Sequence, residues 1–369
     1  MDFSLNTFFM KFVFHIFLAL LFVCFPAFSQ SRSPKICLAY CTYYGNMLPD
    51  PNLVTHINYA FAELYVKNGV YQQFKLQGNE SRFKSVMQLK QQNPNLKICL
   101  SFTHTVSNSD NSQGGGFSAM AASPEMRKQF AADCLAFCQK WNLDGIDIDW
   151  EFPGLSWSGH AANPAMDTQN YVLLMKQLRE TLGPDRILSF AGYVMDMKSS
   201  DSGKKYVDIQ AVMPYVDYVC IMTYDMDAAP AFQSAIISSN SYYDCLSAIR
   251  TYARLGVPFQ KMLLGIPFYL RHSFDGITTV VDYKQIQKLK ANPNFEFDLW
   301  DEEARTPYAR YKGEFYGSYD NPRSIAIKGE WAHQLGLGGL FYWENSEDDA
   351  DMSLAKACWN VISKYSNDE

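Results

Sequence analysis

The stretch Leu143-Asp-Gly-Ile-Asp-Ile-Asp-Trp-Glu-Phe-Pro-Gly154 sets three acids, Asp147, Asp149 and Glu151, two residues apart, with Ile148 and Trp150 between them. Its middle is rich in β-branched and aromatic residues, and Gly145, Pro153 and Gly154 at its flanks break structure, so the run reads as a strand. Successive side chains on a strand point to opposite faces, which places the three acids on one face and Ile146, Ile148 and Trp150 on the other. Carboxylates gathered on one face of a buried strand are costly unless chemistry needs them there.

Working outward, seven further apolar runs resemble strands: Ile36–Cys41, Val54–Ala62, Leu96–Phe102, Ile187–Tyr193, Tyr218–Tyr224, Met262–Phe268 and Leu337–Trp343. Helical patterns fall between them near residues 80–93, 124–140, 167–182, 242–254 and 322–335, with a last one near 351–365. Pro124 and Pro322 suit first-turn positions, and Ser123 and Asn321 before them suit caps. Strands alternating with helices predict parallel βαβ units, and eight of them predict a closed α/β fold, the (β/α)8 TIM barrel, over residues 30–369. The surplus length lies in the Gly/Ser-rich loop Ser107–Ser118 and in residues 272–320, an aromatic-rich insertion between strands seven and eight expected to lie over the barrel mouth.

The 369 residues are 48% hydrophobic and 15% aromatic, enough for a large core and for a surface that stacks on something flat. A net charge of −6, with 32 basic and 38 acidic residues and no long basic run, argues against nucleic acid as a partner. Lys11 and His15 precede the apolar run Ile16–Phe25, then Pro26-Ala-Phe-Ser29, which reads as a signal peptide over residues 1–29 cleaved before Gln30. Lipid attachment at Cys24 is disfavoured because Phe22 and Val23 are poor neighbours for it, and no later run is long enough to span a membrane. The remaining cysteines fit no disulfide framework and no zinc spacing, so neither a metal nor another cofactor is expected.

Barrels of this kind build their sites at the C-terminal strand ends, where Glu151, Met222-Thr-Tyr-Asp225, Tyr40, Phe61, Ser101 and Trp343 all fall. Aromatic rings around carboxylates suit a sugar cleft, because rings stack on the apolar faces of pyranoses. Three acids this close raise at least one pKa and tend to share a proton. Glu151, outermost and longest, is the expected protonated member, as a glycosidic leaving group requires. A second carboxylate is not evident: Asp225 is a candidate nucleophile or water base, and equally a substrate ligand.

Asp144-Gly-Ile-Asp147-Ile-Asp149-Trp-Glu151, followed by Phe-Pro-Gly154, resembles the strand-four signature of family 18 glycoside hydrolases, the chitinase family. The resemblance extends to Tyr40, Asn58-Tyr-Ala-Phe61, Met222-Thr-Tyr-Asp225, Pro267-Phe-Tyr-Leu-Arg271 and Gly338-Gly-Leu-Phe-Tyr-Trp343. It implies a hydrolase of GlcNAc-containing oligo- or polysaccharides, acting as a monomer, in which the substrate's own 2-acetamido oxygen attacks the anomeric carbon to give an oxazolinium ion. By that resemblance Glu151 protonates the leaving oxygen and then activates water, and Asp149 orients the acetamide. Asp147 shares a proton with Asp149, and Tyr224 bonds the acetamide oxygen. Tyr40 and Ser101 support the aspartates, Trp343 floors the −1 sugar, and Phe61, Met222, Asp225 and Arg271 line the cleft. The chain departs from the pattern in four places. Ser101-Phe-Thr-His104 stands where Ser-x-Gly-Gly is usual, Phe152 replaces a tyrosine, Leu270 replaces a glycine, and the 272–320 insertion is shorter than in deep-cleft processive chitinases. The alternatives are an endo-β-N-acetylglucosaminidase acting on N-glycans and an inactive sugar-binding relative; retention of Asp147, Asp149, Glu151 and Tyr224 argues against the second.

Overall fold

The computed structural model describes residues 35–104, 116–155, 162–194 and 206–366. The signal peptide expected at residues 1–29, Cys24 within it, and most of the Ser107–Ser118 loop lie outside the described residues. The strands in chain order are β1 Ile36–Thr42, β2 His56–Lys67, β3 Val70–Leu76, β4 Lys97–Thr103, β5 Gly145–Asp149, β6 Ile187–Gly192, β7 Tyr218–Ile221, β8 Met262–Pro267, β9 Tyr269–Arg271, β10 Val280–Asp282, β11 Phe295–Asp301, β12 Thr306–Tyr311, β13 Glu314–Ser318 and β14 Gly339–Trp343. Eight of them run in the order β1-β14-β8-β7-β6-β5-β4-β2, all parallel, and β2 pairs back onto β1. This is the expected (β/α)8 barrel, closed so that no edge is left among these strands.

The helices follow the apolar periodicity. Pro124–Trp141 and Pro322–Leu335 begin at their prolines, with Ser123 Oγ accepting the Met126 N–H and Asn321 Oδ1 accepting the Ser324 N–H. Asp167–Leu182, Cys245–Arg254 and Ser353–Ser366 occupy the other predicted stretches, and the helix near 80 is α only over Glu80–Gln88 before tightening to 3₁₀ at Leu89–Gln91. Short helices at Phe117–Ala122, Ile209–Val212 and Tyr283–Leu289 lack the length for a clear period and were not foreseen.

Two differences from the sequence reading have local causes. β2 does not stop at Ala62 but continues to Lys67 and folds back antiparallel into β3. The turn is Asn68-Gly69, both at positive φ (51° and 75°), the backbone a two-residue hairpin requires. Gly145, read as a strand breaker, is instead the first residue of β5: a Cβ there would stand 2.1 Å from the Ile187 carbonyl oxygen. The glycine lets β5 and β6 approach, rather than ending the strand.

Between β8 and β14 the chain builds a second sheet, ordered β10-β9-β13-β12-β11. Its aromatic residues mostly pair with one another: Tyr308 stacks on Phe315 with centroids 5.2 Å apart, and Phe295 contacts Phe297, Tyr311 and Tyr316. Such cross-strand pairs stabilise a small sheet. The main core fills the space between barrel and helices; there Ile146, Ile148 and Trp150 pack, with the Trp150 ring stacked 5.2 Å from Phe117. A second cluster, including Leu38, Tyr40, Phe61, Cys220, Tyr224, Leu263 and Phe341, fills the barrel itself.

Candidate active site

Strand register places the acids. Ser101, Asp147 and Ser189 are direct neighbours across β4, β5 and β6, and in parallel strands register partners present side chains to the same face. Ser101 Oγ donates to Asp147 Oδ2 at 2.7 Å, Tyr40 OH donates to the same oxygen at 2.8 Å, and Ser189 Oγ donates to Oδ1 at 2.7 Å. Asp147 is completely buried, and burial raises its pKa against the lowering effect of the Ser189, Ser101 and Tyr40 hydroxyls. Both oxygens are therefore held by hydroxyl donors.

One step nearer the mouth, Asp149 is in register with Thr103, which in turn faces Glu63 on β2. Asp149 is buried, and its Oδ1 has no hydrogen-bond partner among the described residues. Buried carboxylate oxygens are rarely left unpaired, so this one calls for a partner that the described residues do not supply. Glu151 lies past the end of β5 and keeps part of its surface open. The bond that joins two of the three acids runs between the Asp149 and Glu151 side chains. Burial, then the charges of Glu151 and Asp147, pushes the Asp149 pKa well above the carboxylate range; burial pushes Glu151 up to about 7, with the Asp225 charge adding to it. The three acids thus divide into one carboxylate held by hydroxyls and one pair that shares a proton.

The other sequence-predicted residues come together at the same end. Tyr224 is buried in the barrel cluster, its phenol pKa raised by burial and then by the charges of Asp149 and Glu151. Trp343 lies on that cluster, stacked on Phe61 at 5.7 Å and 25° and tilted against Tyr40 at 5.5 Å. Met222 packs partly buried on the same cluster. Asp225, just past β7 at φ 52°, receives three bonds on Oδ1: from Arg271 Nε at 2.8 Å, Arg271 Nη2 at 2.5 Å and Tyr269 OH at 2.7 Å. The second sheet thereby reaches the site through β9, which carries both donors.

Four contributors were missed or read only as departures. Ser189 and Asn58 are polar residues inside apolar strand runs, a signal visible in the sequence; Asn58 is fully buried, in register with Tyr40. Tyr269 precedes Arg271 by two and so shares its face. His104, noted only for its bulk, accepts the Glu151 backbone N–H on Nδ1 at 3.2 Å. Phe152 is buried with its ring stacked 5.5 Å from Tyr206. Among the described residues no group of three or more His, Cys, Asp or Glu side chains is arranged to hold a metal ion.

The family model for glycosyl hydrolases family 18 matches residues 23–348. Chitinase A1 of Niallia circulans is 27% identical over 84% of this chain and 55% of its own length, and "Probable chitinase 2" of Drosophila melanogaster is 27% identical over 81% and 67%. The chain spans roughly half to two thirds of the length of these curated relatives. Among solved structures, the Group IV chitinase of Ostrinia furnacalis in complex with allosamidin superposes with a TM-score of 0.75 at 25% identity, covering 90% of this chain and 99% of that one.

Proposed function

The chain belongs to family 18 of the glycosyl hydrolases, and from that premise we propose that it is a retaining hydrolase cutting β-1,4 linkages next to N-acetylglucosamine in chitin or chito-oligosaccharides. The observation that carries the reading is the unpaired, buried Oδ1 of Asp149 beside Glu151, whose pKa burial pushes up to about 7. An acetamide N–H in the −1 subsite would satisfy that oxygen, and the same contact turns the acetamide oxygen toward the anomeric carbon. Glu151 gives its proton to the leaving oxygen as the acetamide oxygen attacks, and an oxazolinium ion forms. The Glu151 carboxylate then takes a proton from water, whose oxygen reopens the ring with net retention. Asp149, as the anion, offsets the positive charge on the oxazolinium nitrogen, and Tyr224 bonds the acetamide oxygen. Asp147, held by Tyr40, Ser101 and Ser189, supports Asp149 from below. Trp343 floors the −1 sugar, with Phe61, Met222, Asp225 and Arg271 along the cleft. No resident cofactor enters the scheme.

Reading residues 1–29 as a signal peptide, we place the enzyme outside the cytoplasm or in the cell envelope, as a monomer on a soluble GlcNAc-containing glycan. The deciding experiment is product analysis on a GlcNAc hexamer beside a high-mannose glycoprotein. Release of chito-oligomers, abolished in Glu151→Gln, is expected; cleavage of the glycoprotein alone would replace this reading with an endo-β-N-acetylglucosaminidase. A thiazoline analogue of the oxazolinium should inhibit strongly, and substrate carrying a free amine at −1 should be cut far more slowly. Equal rates on the two substrates would rule out acetamide assistance.

A further inference from the structure

His104 follows β4 directly, at the place where the usual family pattern has a second glycine, and it makes a contact that glycine has no atoms for. Its backbone N–H donates to the Asp149 carbonyl at 3.2 Å, and its ring Nδ1 accepts the Glu151 backbone N–H, also at 3.2 Å. Register pairing between β4 and β5 ends at Thr103 and Asp149. Glu151 therefore lies beyond the last residue that the barrel ladder fixes, and the backbone at this point needs another partner for its N–H. One residue, through main chain and ring together, holds both ends of the Asp149–Glu151 segment. Nδ1 can accept only without a proton, so the neutral ring must carry its hydrogen on Nε2.

We propose that His104 is a positioning residue for the proton donor, its imidazole replacing strand pairing as the support that sets the height and direction of Glu151. The proposal rests on the reading of Glu151 as the acid. The carboxyl must meet the glycosidic oxygen within hydrogen-bond reach, and a displacement of about 1 Å can cost about 100-fold in rate. Because the contact is to backbone N–H and not to sugar, its loss falls on the chemical step rather than on binding.

The test compares His104→Asn with His104→Gln on a chromogenic chitobioside. Asn carries an amide oxygen at the place of Nδ1, whereas Gln extends to the place of Nε2 and leaves the Glu151 N–H without its acceptor. In His104→Gln, kcat should fall on the order of 10- to 100-fold while KM stays within about twofold, and His104→Asn should recover most of the lost rate. Equal rates in the two variants, or an effect confined to KM, would overturn the proposal. A second readout uses no turnover: the imidazole ¹⁵N shifts of the unmodified protein, with the His104 signals assigned through their connectivity to the His104 backbone. An unprotonated Nδ1 and protonated Nε2 are expected, and the reverse tautomer removes the contact even if both variants fail to fold. Should the unmodified enzyme cut no GlcNAc substrate and Glu151→Gln bind no chito-oligomer, the functional reading falls, while the ring-nitrogen measurement still decides the contact.

Discussion

Burial lifts the Glu151 pKa to about 7, against the lowering effect of its bond to Asp149 and with the Asp225 charge adding to the rise. In the proposed mechanism protonated Glu151 starts the reaction, so kcat/KM should decline on the alkaline side as pH rises through about 7, which a pH–rate profile would show directly. The same shift has a stability consequence. With a folded pKa above the unfolded one, the folded state holds the proton longer, so stability is fully present below the ordinary glutamate pKa and is lost as pH rises toward about 7. Glu151→Gln removes that loss, and denaturant titration should find the variant more stable than the parent at pH 8 by roughly 1–2 kcal/mol, with the gain vanishing near pH 4. Burial raises the Asp147 pKa as well, but three hydroxyl donors work against the rise. Ser189→Ala removes the donor on Oδ1 and should cost about 1.5–3 kcal/mol in urea unfolding, while lifting the Asp147 pKa further from the usual carboxylate range.

Where elements meet, one buried ion pair ties three of them. Lys328, in the helix Pro322–Leu335, places Nζ 2.6 Å from Asp320 Oδ2, and both side chains are fully buried. Lys328 also donates to Ser234 Oγ in the segment after β7, and Ser324 Oγ donates to Asp320 Oδ1. The cluster thus links the exit of the second sheet, the helix before β14 and the loop that follows Asp225. Removing one partner strands the other charge, so Lys328→Met should destabilise by about 3–5 kcal/mol, whereas replacing both residues with apolar ones of similar volume should cost much less, as thermal unfolding of the single and double variants would show. Nothing in the local sequence marks this pair. Asp320 sits beside the Asn321 cap and reads as an ordinary turn residue, and Lys328 reads as one charge on an amphipathic helix. By contrast the helix starts at Pro124 and Pro322 and the strand phases were legible, because caps and periods are set by residues within a few positions of each other, whereas the hairpin at Asn68-Gly69 was passed over although its turn is just as local.

Taken as a whole, the barrel closes through a seam where β14 meets β1, and the closeness of that seam depends on an absent side chain. A Cβ on Gly339 would stand 2.0 Å from the Ile36 carbonyl oxygen, a backbone atom that cannot turn aside. Gly339→Ala should open the seam and lower the melting temperature more than Gly69→Ala at the exposed hairpin tip, where nothing lies within 4 Å. The eight described cysteines, Cys37 to Cys358, are all buried and free. A thiol reagent should leave them unmodified in the native state and reach them only as denaturant unfolds the barrel, and a reductant should leave the melting temperature unchanged.

The alternation of acid and apolar residues from Asp147 to Glu151, the recurrence of apolar runs and the helix caps determined by themselves that this chain forms an α/β barrel with three carboxylates at one strand end. Each of those features is a short-range pattern, read within a single turn or strand. The tertiary structure decided how the carboxylates are held. Tyr40, Ser101 and Ser189 are 107, 46 and 42 residues from Asp147, and only the register of β4, β5 and β6 and the closure of the barrel bring their hydroxyls to it. The same register leaves Asp149 Oδ1 unpaired and ends the ladder before Glu151, where the His104 ring takes over. Hydrogen bonds of this kind depend on the relative slide of strands, which no local period in the sequence encodes.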